Sequence, residues 1–199
     1  MKTSNEIHYL EESYTGMSRV KVMNKAKLNF ESYIKLAHDN GIHDAMAIKT
    51  SQVFTAPWVR MKCQFGCPGF GETLCCPPYT PTPDEMRKIL GAYTYGILLH
   101  LHWNKDYKTV NHFNDTIVDL ERTIFLDGYY KAWALGSGPC DRCESCNIGG
   151  TCRNADKARP SMEGCGIDVF KTAREQGLPI NVVKNHDAER DIYGLILVE

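Results

Sequence analysis

Apolar side chains recur at helical spacing from about Ala26 to Asn40, where Phe30, Tyr33, Ile34 and Ala37 fall on one stripe and Gly41 supplies a natural stop. Residues 1–25 carry few periodic apolar positions and leave a strand or a mobile arm equally open. Strands are predicted at 44–53 and 58–63. In the second, Val59, Met61 and Cys63 alternate with Trp58, Arg60 and Lys62, which sets Cys63 on an apolar face. A helix over 83–93 follows, with Thr82 as N-cap, Pro83 at the first position, Glu85 completing a capping box, and Met86, Ile89, Leu90 and Tyr93 facing inward.

Residues 96–103 predict a buried strand on which His100 and His102 share a face. In a chain already rich in thiols, packing or hydrogen bonding in the core is the preferred role for this pair over metal ligation. Val110, Phe113, Ile117, Leu120 and Ile124 mark a long helix over 108–127 that stops at Gly128, and residues 130–135 form a strand. Ser161 is positioned to cap a helix running to about Gln176, with Met162, Cys165, Val169 and Ala173 on one stripe. That register points Cys165 inward from a first turn, where the helix dipole favours a thiolate, although a buried spare thiol fits equally well. Two closing strands are predicted at 180–184 and 192–198.

The central order of strand, helix, strand, helix, strand implies two consecutive crossover units. The expected fold is therefore α/β, one domain built on a mostly parallel sheet with crossover helices. Two cysteine-rich loops, at about 63–80 and 136–165, would then leave the C-terminal edge of that sheet, where open α/β sheets place their ligands. A length of 199 residues suits one such domain with a real core.

Composition narrows the chemistry. A net charge of -1, with no basic run, argues against nucleic acid as a partner. The polar N-terminal residues and an apolar stretch at 97–103 broken by two histidines predict no membrane association, and the expectation is a soluble, cytoplasmic protein. Nine cysteines, odd in number and clustered, then point to metal ligation or redox chemistry rather than a disulfide framework.

Cys140, Cys143, Cys146 and Cys152 stand at C-x2-C-x2-C-x5-C. Three thiols in step suit a loop wrapped round one face of an iron–sulfur cube, each sulfur meeting a different iron. Zinc usually pairs two separated Cys-x-x-Cys halves, which leaves the third cysteine surplus, so zinc ranks second and disulfides last. Cys63, Cys67, Cys75 and Cys76 form a second group in a loop dense in Gly and Pro. Adjacent side chains diverge, so one of Cys75 and Cys76 is expected to ligate, and Cys76, before Pro77-Pro78, is the choice. The full candidate cofactor set is Cys63, Cys67, Cys75, Cys76, Cys140, Cys143, Cys146, Cys152 and Cys165.

Cys-Pro-Gly-Phe-Gly at 67–71, Cys-Pro-Pro-Tyr-Thr-Pro-Thr-Pro at 76–83, the 140–153 run and Arg-Pro-Ser-Met-Glu-Gly-Cys-Gly-Ile-Asp-Val-Phe at 159–170 together resemble the cysteine-rich, predicted metal-binding proteins of anaerobic bacteria and archaea, a family of unknown function. The resemblance runs from about residue 45 to the end. It implies metal, foremost iron–sulfur, and a core ligand set of Cys67, Cys76, Cys140, Cys143, Cys146 and Cys152.

Three functions follow as expectations. The first is a protein with one or two [4Fe–4S] clusters that exchanges electrons with a partner protein, favoured because no catalytic base, nucleotide loop or flavin motif is evident and Gly136-Ser137-Gly138 is too short for a phosphate cradle. The second is an enzyme whose cluster keeps one iron open to a small-molecule substrate, as in desulfuration or dehydration, with Arg60, Lys62, Arg159 and Glu163 as polar candidates. Surface charge or helix-end pairing is the commoner role for any one of those four. The third is a zinc-stabilised interaction module.

Overall fold

The computed structural model describes residues 30–185 and 187–199. The expectations for residues 1–25, and for a helix start at 26–29, lie outside these. Helix α1 (Phe30–Asp39) leads into β1 (Asp44–Lys49), a short 3-10 turn (Thr50–Gln52) and α2 (Pro57–Gly66). Then come α3 (Pro83–Leu90), β2 (Tyr95–Trp103), α4 (Tyr107–Leu126), β3 (Trp133–Leu135), a 3-10 turn (Glu163–Cys165), α5 (Val169–Glu175) and β4 (Arg190–Leu197).

The four strands form one sheet in the order β1-β2-β4-β3, and every neighbouring pair is antiparallel. This overturns the expected parallel sheet; the fold is mixed α/β. Two features account for it: β4 inserts between β2 and β3, which run parallel to each other through α4 but do not pair, and residues 57–66 form a helix rather than a strand. Pro57 at the first helical position favours that start, and Val59 and Cys63, four residues apart, share a helix face as readily as a strand face. The remaining residue of the alternation, Met61, points away and is 60% exposed. Without that strand the first crossover unit does not exist. Residues 180–184 also form no strand; β4 alone closes the sheet, between β2 and β3.

Alternation along β2 supplies both faces of the core. Ile97, Leu99, Leu101 and Trp103 join Tyr33 and Ala37 of α1 and Phe113, Ile117, Leu120 and Ile124 of α4. Leu98 packs on the other face with Met86 and Leu90 of α3, Val169 and Ala173 of α5, and Met162, Cys165 and Ile167. Each such side chain, fully buried, contributes about 1.5–3 kcal/mol. Thr82 caps α3 as expected, its hydroxyl accepting from the Glu85 N–H while the Glu85 carboxylate accepts from the Thr82 N–H at 2.8 Å.

The helix expected over 161–176 is split. Gly166 takes φ +77°, a left-handed conformation that ends the turn at Cys165, and Asp168 then caps α5 separately by accepting from the Lys171 N–H.

Candidate metal centre

The 136–162 segment leaves the sheet and returns through a closed neck. The Gly136 N–H donates to Pro160 O at 2.9 Å and the Met162 N–H donates to Gly136 O at 3.1 Å. Helix α4 holds this excursion with three side chains. Asn114 both donates to Ser137 O and accepts from the Ser137 N–H. Asp115 pairs with Arg142 at 2.5 Å, and Glu121 receives a bidentate contact from Arg159 at 2.6 and 2.7 Å while also accepting from the Ala134 N–H. Sequence reasoning missed these anchors, because Asn114, Asp115 and Glu121 look like ordinary solvent-facing positions of an amphipathic helix.

Inside the excursion, Cys140, Cys143, Cys146 and Cys152 surround a recess of about 430 Å³, and Cys75 enters it from the other loop. Three hydrogen bonds reach these sulfurs. Asn154 Nδ2 donates to Cys143 Sγ at 3.0 Å, the Leu74 N–H to Cys146 Sγ at 3.4 Å, and the Arg142 N–H to Cys140 Sγ. Cys75 and Cys140 share a side-chain hydrogen bond that pushes the Cys75 thiol strongly up and brings Cys140 down to about 6. The proton of the pair thus sits on Cys75, a thiol donor to a Cys140 thiolate.

The second group lies on the far side of the Cys75–Cys76 peptide. Cys63 on α2, Cys67 at its C-cap and Cys76 line the inner end of a larger cavity of about 1140 Å³. Gly69 is seated between two of these sulfurs. A Cβ there would stand 3.5 Å from Cys76 Sγ, 3.6 Å from Cys67 Sγ and 3.2 Å from Pro139 Cβ. Burial, above all, raises both the Cys63 and Cys76 thiols, and neighbouring sulfurs add to it. The Cys140 N–H points to the Cys76 sulfur, so Cys140 touches both groups.

Cys165 is only 1% exposed, and burial pushes its thiol up to about 12. It lies near Cys63, at the end of a 3-10 turn rather than in the first turn of a long helix, so of the two readings left open the buried, protonated thiol fits and the dipole-stabilised thiolate does not.

Of the polar candidates, Arg60 ties α2 to the loop by donating to Thr80 O and Pro81 O, and Arg159 is committed to Glu121. Lys62 and Glu163 line the larger cavity. Glu163 is exposed on that cavity. The strand histidines form a separate cluster. His100 is buried between Asp44 (2.7 Å) and Asp191 (3.1 Å), and His102 meets Asp191 at 3.1 Å.

The donor set suits a bound inorganic group. Sulfurs in two sets, approached by N–H donors and by a glycine that leaves room for a bulky neighbour, match the way thiolate-held metal is supported. Among the described residues, no three His, Cys, Asp or Glu side chains converge to hold a single ion; the thiols ring recesses instead. No described helix is long and apolar enough to cross a membrane.

A chain with such paired thiol groups falls in the class of cysteine-rich metal-binding proteins. Residues 46–198 match the family described as Predicted metal-binding protein (DUF2284), and the chain belongs to that family. No curated protein and no solved structure matches it.

Proposed function

We propose that this is an iron–sulfur protein that holds two [4Fe–4S] clusters and passes electrons to or from a partner protein in a reducing compartment such as the cytoplasm. The observation that carries the reading is the division of the thiols at Cys75–Cys76, which gives each side its own sulfur set. Cys140, Cys143, Cys146 and Cys152 are the ligands of the first centre, and the Cys75 thiol donates a hydrogen bond to the Cys140 sulfur. Cys63, Cys67 and Cys76 are the ligands of the second. The clusters supply one-electron chemistry when bound. The chain's own part is to hold the sulfurs, to tune them through Asn154, the Leu74 N–H and Cys75, and to keep the loops fixed through α4.

A second reading rests on the three-thiol set. Three cysteines leave a fourth position free of sulfur, and that set faces the large cavity, as suits an enzyme acting on a small molecule. The deciding experiment is iron, zinc and acid-labile sulfide per chain on protein purified without oxygen, together with the visible spectrum. About eight irons with matching sulfide supports two clusters, and about four reduces the reading to one. Zinc without sulfide sinks it and leaves a structural module.

A further inference from the structure

The larger cavity has far more wall than three sulfurs need. At about 1140 Å³ it stands at the upper end of the range that accommodates drug-sized molecules. Buried Val59, Ile167, Val169 and Ile192 contribute apolar wall. Trp58, Tyr107 and Val182 also line it yet are 44%, 64% and 80% exposed. Large apolar side chains left in water on a concave wall mark a surface that gains when something covers it.

The charge lies at the α5 end. Lys171 and Arg174 are one turn apart and both line the cavity, held over the rings of Phe54 (4.1 Å) and Phe170 (5.3 Å). Neither side chain has an ion-pair partner among the described residues. The nearby carboxylates are mostly committed. Asp168 caps α5 and Asp191 is bonded by two histidines, which leaves Glu175 at that end; Asp141 and Glu163 belong to the thiol end, beside Cys140 and Cys63.

We propose that this cavity binds an amphipathic organic anion, an aromatic or long-chain acid. Its apolar body covers Trp58, Tyr107 and Val182, and its anionic group meets Lys171 and Arg174. The concavity and its predominantly apolar wall fit a small molecule rather than a protein partner. This proposal stands on the cavity alone and is independent of which metal the thiols hold.

The test is fluorescence titration of the full chain with two probes, anilinonaphthalene sulfonate and its uncharged relative phenylnaphthylamine. The sulfonate should bind at one site and more tightly than the uncharged probe. Trp58→Ala and, separately, Val182→Asp should each weaken it about tenfold, while Tyr130→Ala, at an exposed position outside the cavity, should leave it unchanged. Lys171→Ala combined with Arg174→Ala should abolish the preference for the sulfonate. Melting curves establish that each variant is folded, and the exposed positions keep Val182→Asp informative if Trp58→Ala is not. Equal affinity in the wild type and both cavity variants, or an equal loss in Tyr130→Ala, overturns the site. Uncharged probe binding as tightly as sulfonate overturns the anionic ligand.

Discussion

Cys75 and Cys76 show how much a single residue's direction decides. The sequence posed them as rivals for one ligand position, since neighbouring side chains diverge. Divergence instead sends one to each recess, and nothing in spacing alone reveals that a second recess exists. The two should behave differently when replaced. Cys76→Ala should lose the metal of the Cys63 group and keep that of the Cys140 group. Cys75→Ala should keep the full iron content but move the potential of one centre to more negative values, because a hydrogen bond that stabilised extra charge on Cys140 is gone; Cys75→Ser, which keeps a donor, should restore most of it. Metal analysis and a redox titration check both, and a Cys75→Ala protein lacking iron at the Cys140 group would make Cys75 a ligand. Gly69 has its own test. Its Cβ would crowd Pro139 at 3.2 Å and take up the space beside the Cys67 and Cys76 sulfurs, so Gly69→Ala should deplete the second centre while the first stays loaded, as read by iron content and spectrum.

At the scale of elements, the legible parts were those with local punctuation. The capping box at Thr82 and the apolar run of β2, broken only by its two histidines, announced themselves, because their signals need nothing from the rest of the chain. Residues 57–66 did not, since a six-residue alternation fits either period and only tertiary packing separated Met61 from Val59. Nor did the long-range service of α4. Arg159 and Glu121 are 11% and 10% exposed as a pair, and breaking such a pair leaves a buried charge alone. Arg159→Met should therefore cost about 3–5 kcal/mol in urea unfolding and loosen the cysteine excursion.

The sheet carries a pH-dependent contribution of the opposite kind. Asp191, through its hydrogen bond above all, raises His102 above its ordinary value of 6.5. A raised folded value means that the stabilisation is complete below about pH 6.5 and is lost as pH rises through the folded value. Relative to His102→Gln, the wild type should lose its advantage as pH rises above about 6.5, measured by unfolding in urea. An advantage that grew with pH would be inconsistent with the Asp191 contact.

Across the whole molecule, the two apolar clusters and the thiol groups divide the work. Both faces of the sheet are packed by helices without help from the cysteines, apart from Cys165. The loops, by contrast, rest on a few tethers and on whatever their sulfurs hold. Chelation should release amide protection in 67–80 and 137–160 while β2 and β4 remain slow to exchange, as hydrogen exchange would read. Overall topology was the least legible feature, because the helix at 57–66 removed one expected crossover and the last strand, β4, inserted between the parallel β2 and β3 of the other, a long-range choice that no local pattern announces.

The single peptide between Cys75 and Cys76 spans only about 3.8 Å from Cα to Cα, and Cys140 reaches one group with its sulfur and the other with its N–H. Filling either side therefore fixes backbone that the other side uses. Filling should then be cooperative without being obligate: with iron and sulfide in short supply, native mass should resolve more doubly filled chains than independent filling would give. Because such linkage is reciprocal, loss of either centre to oxygen should loosen its neighbour's hold without emptying it, so damage at one side shortens the life of the other.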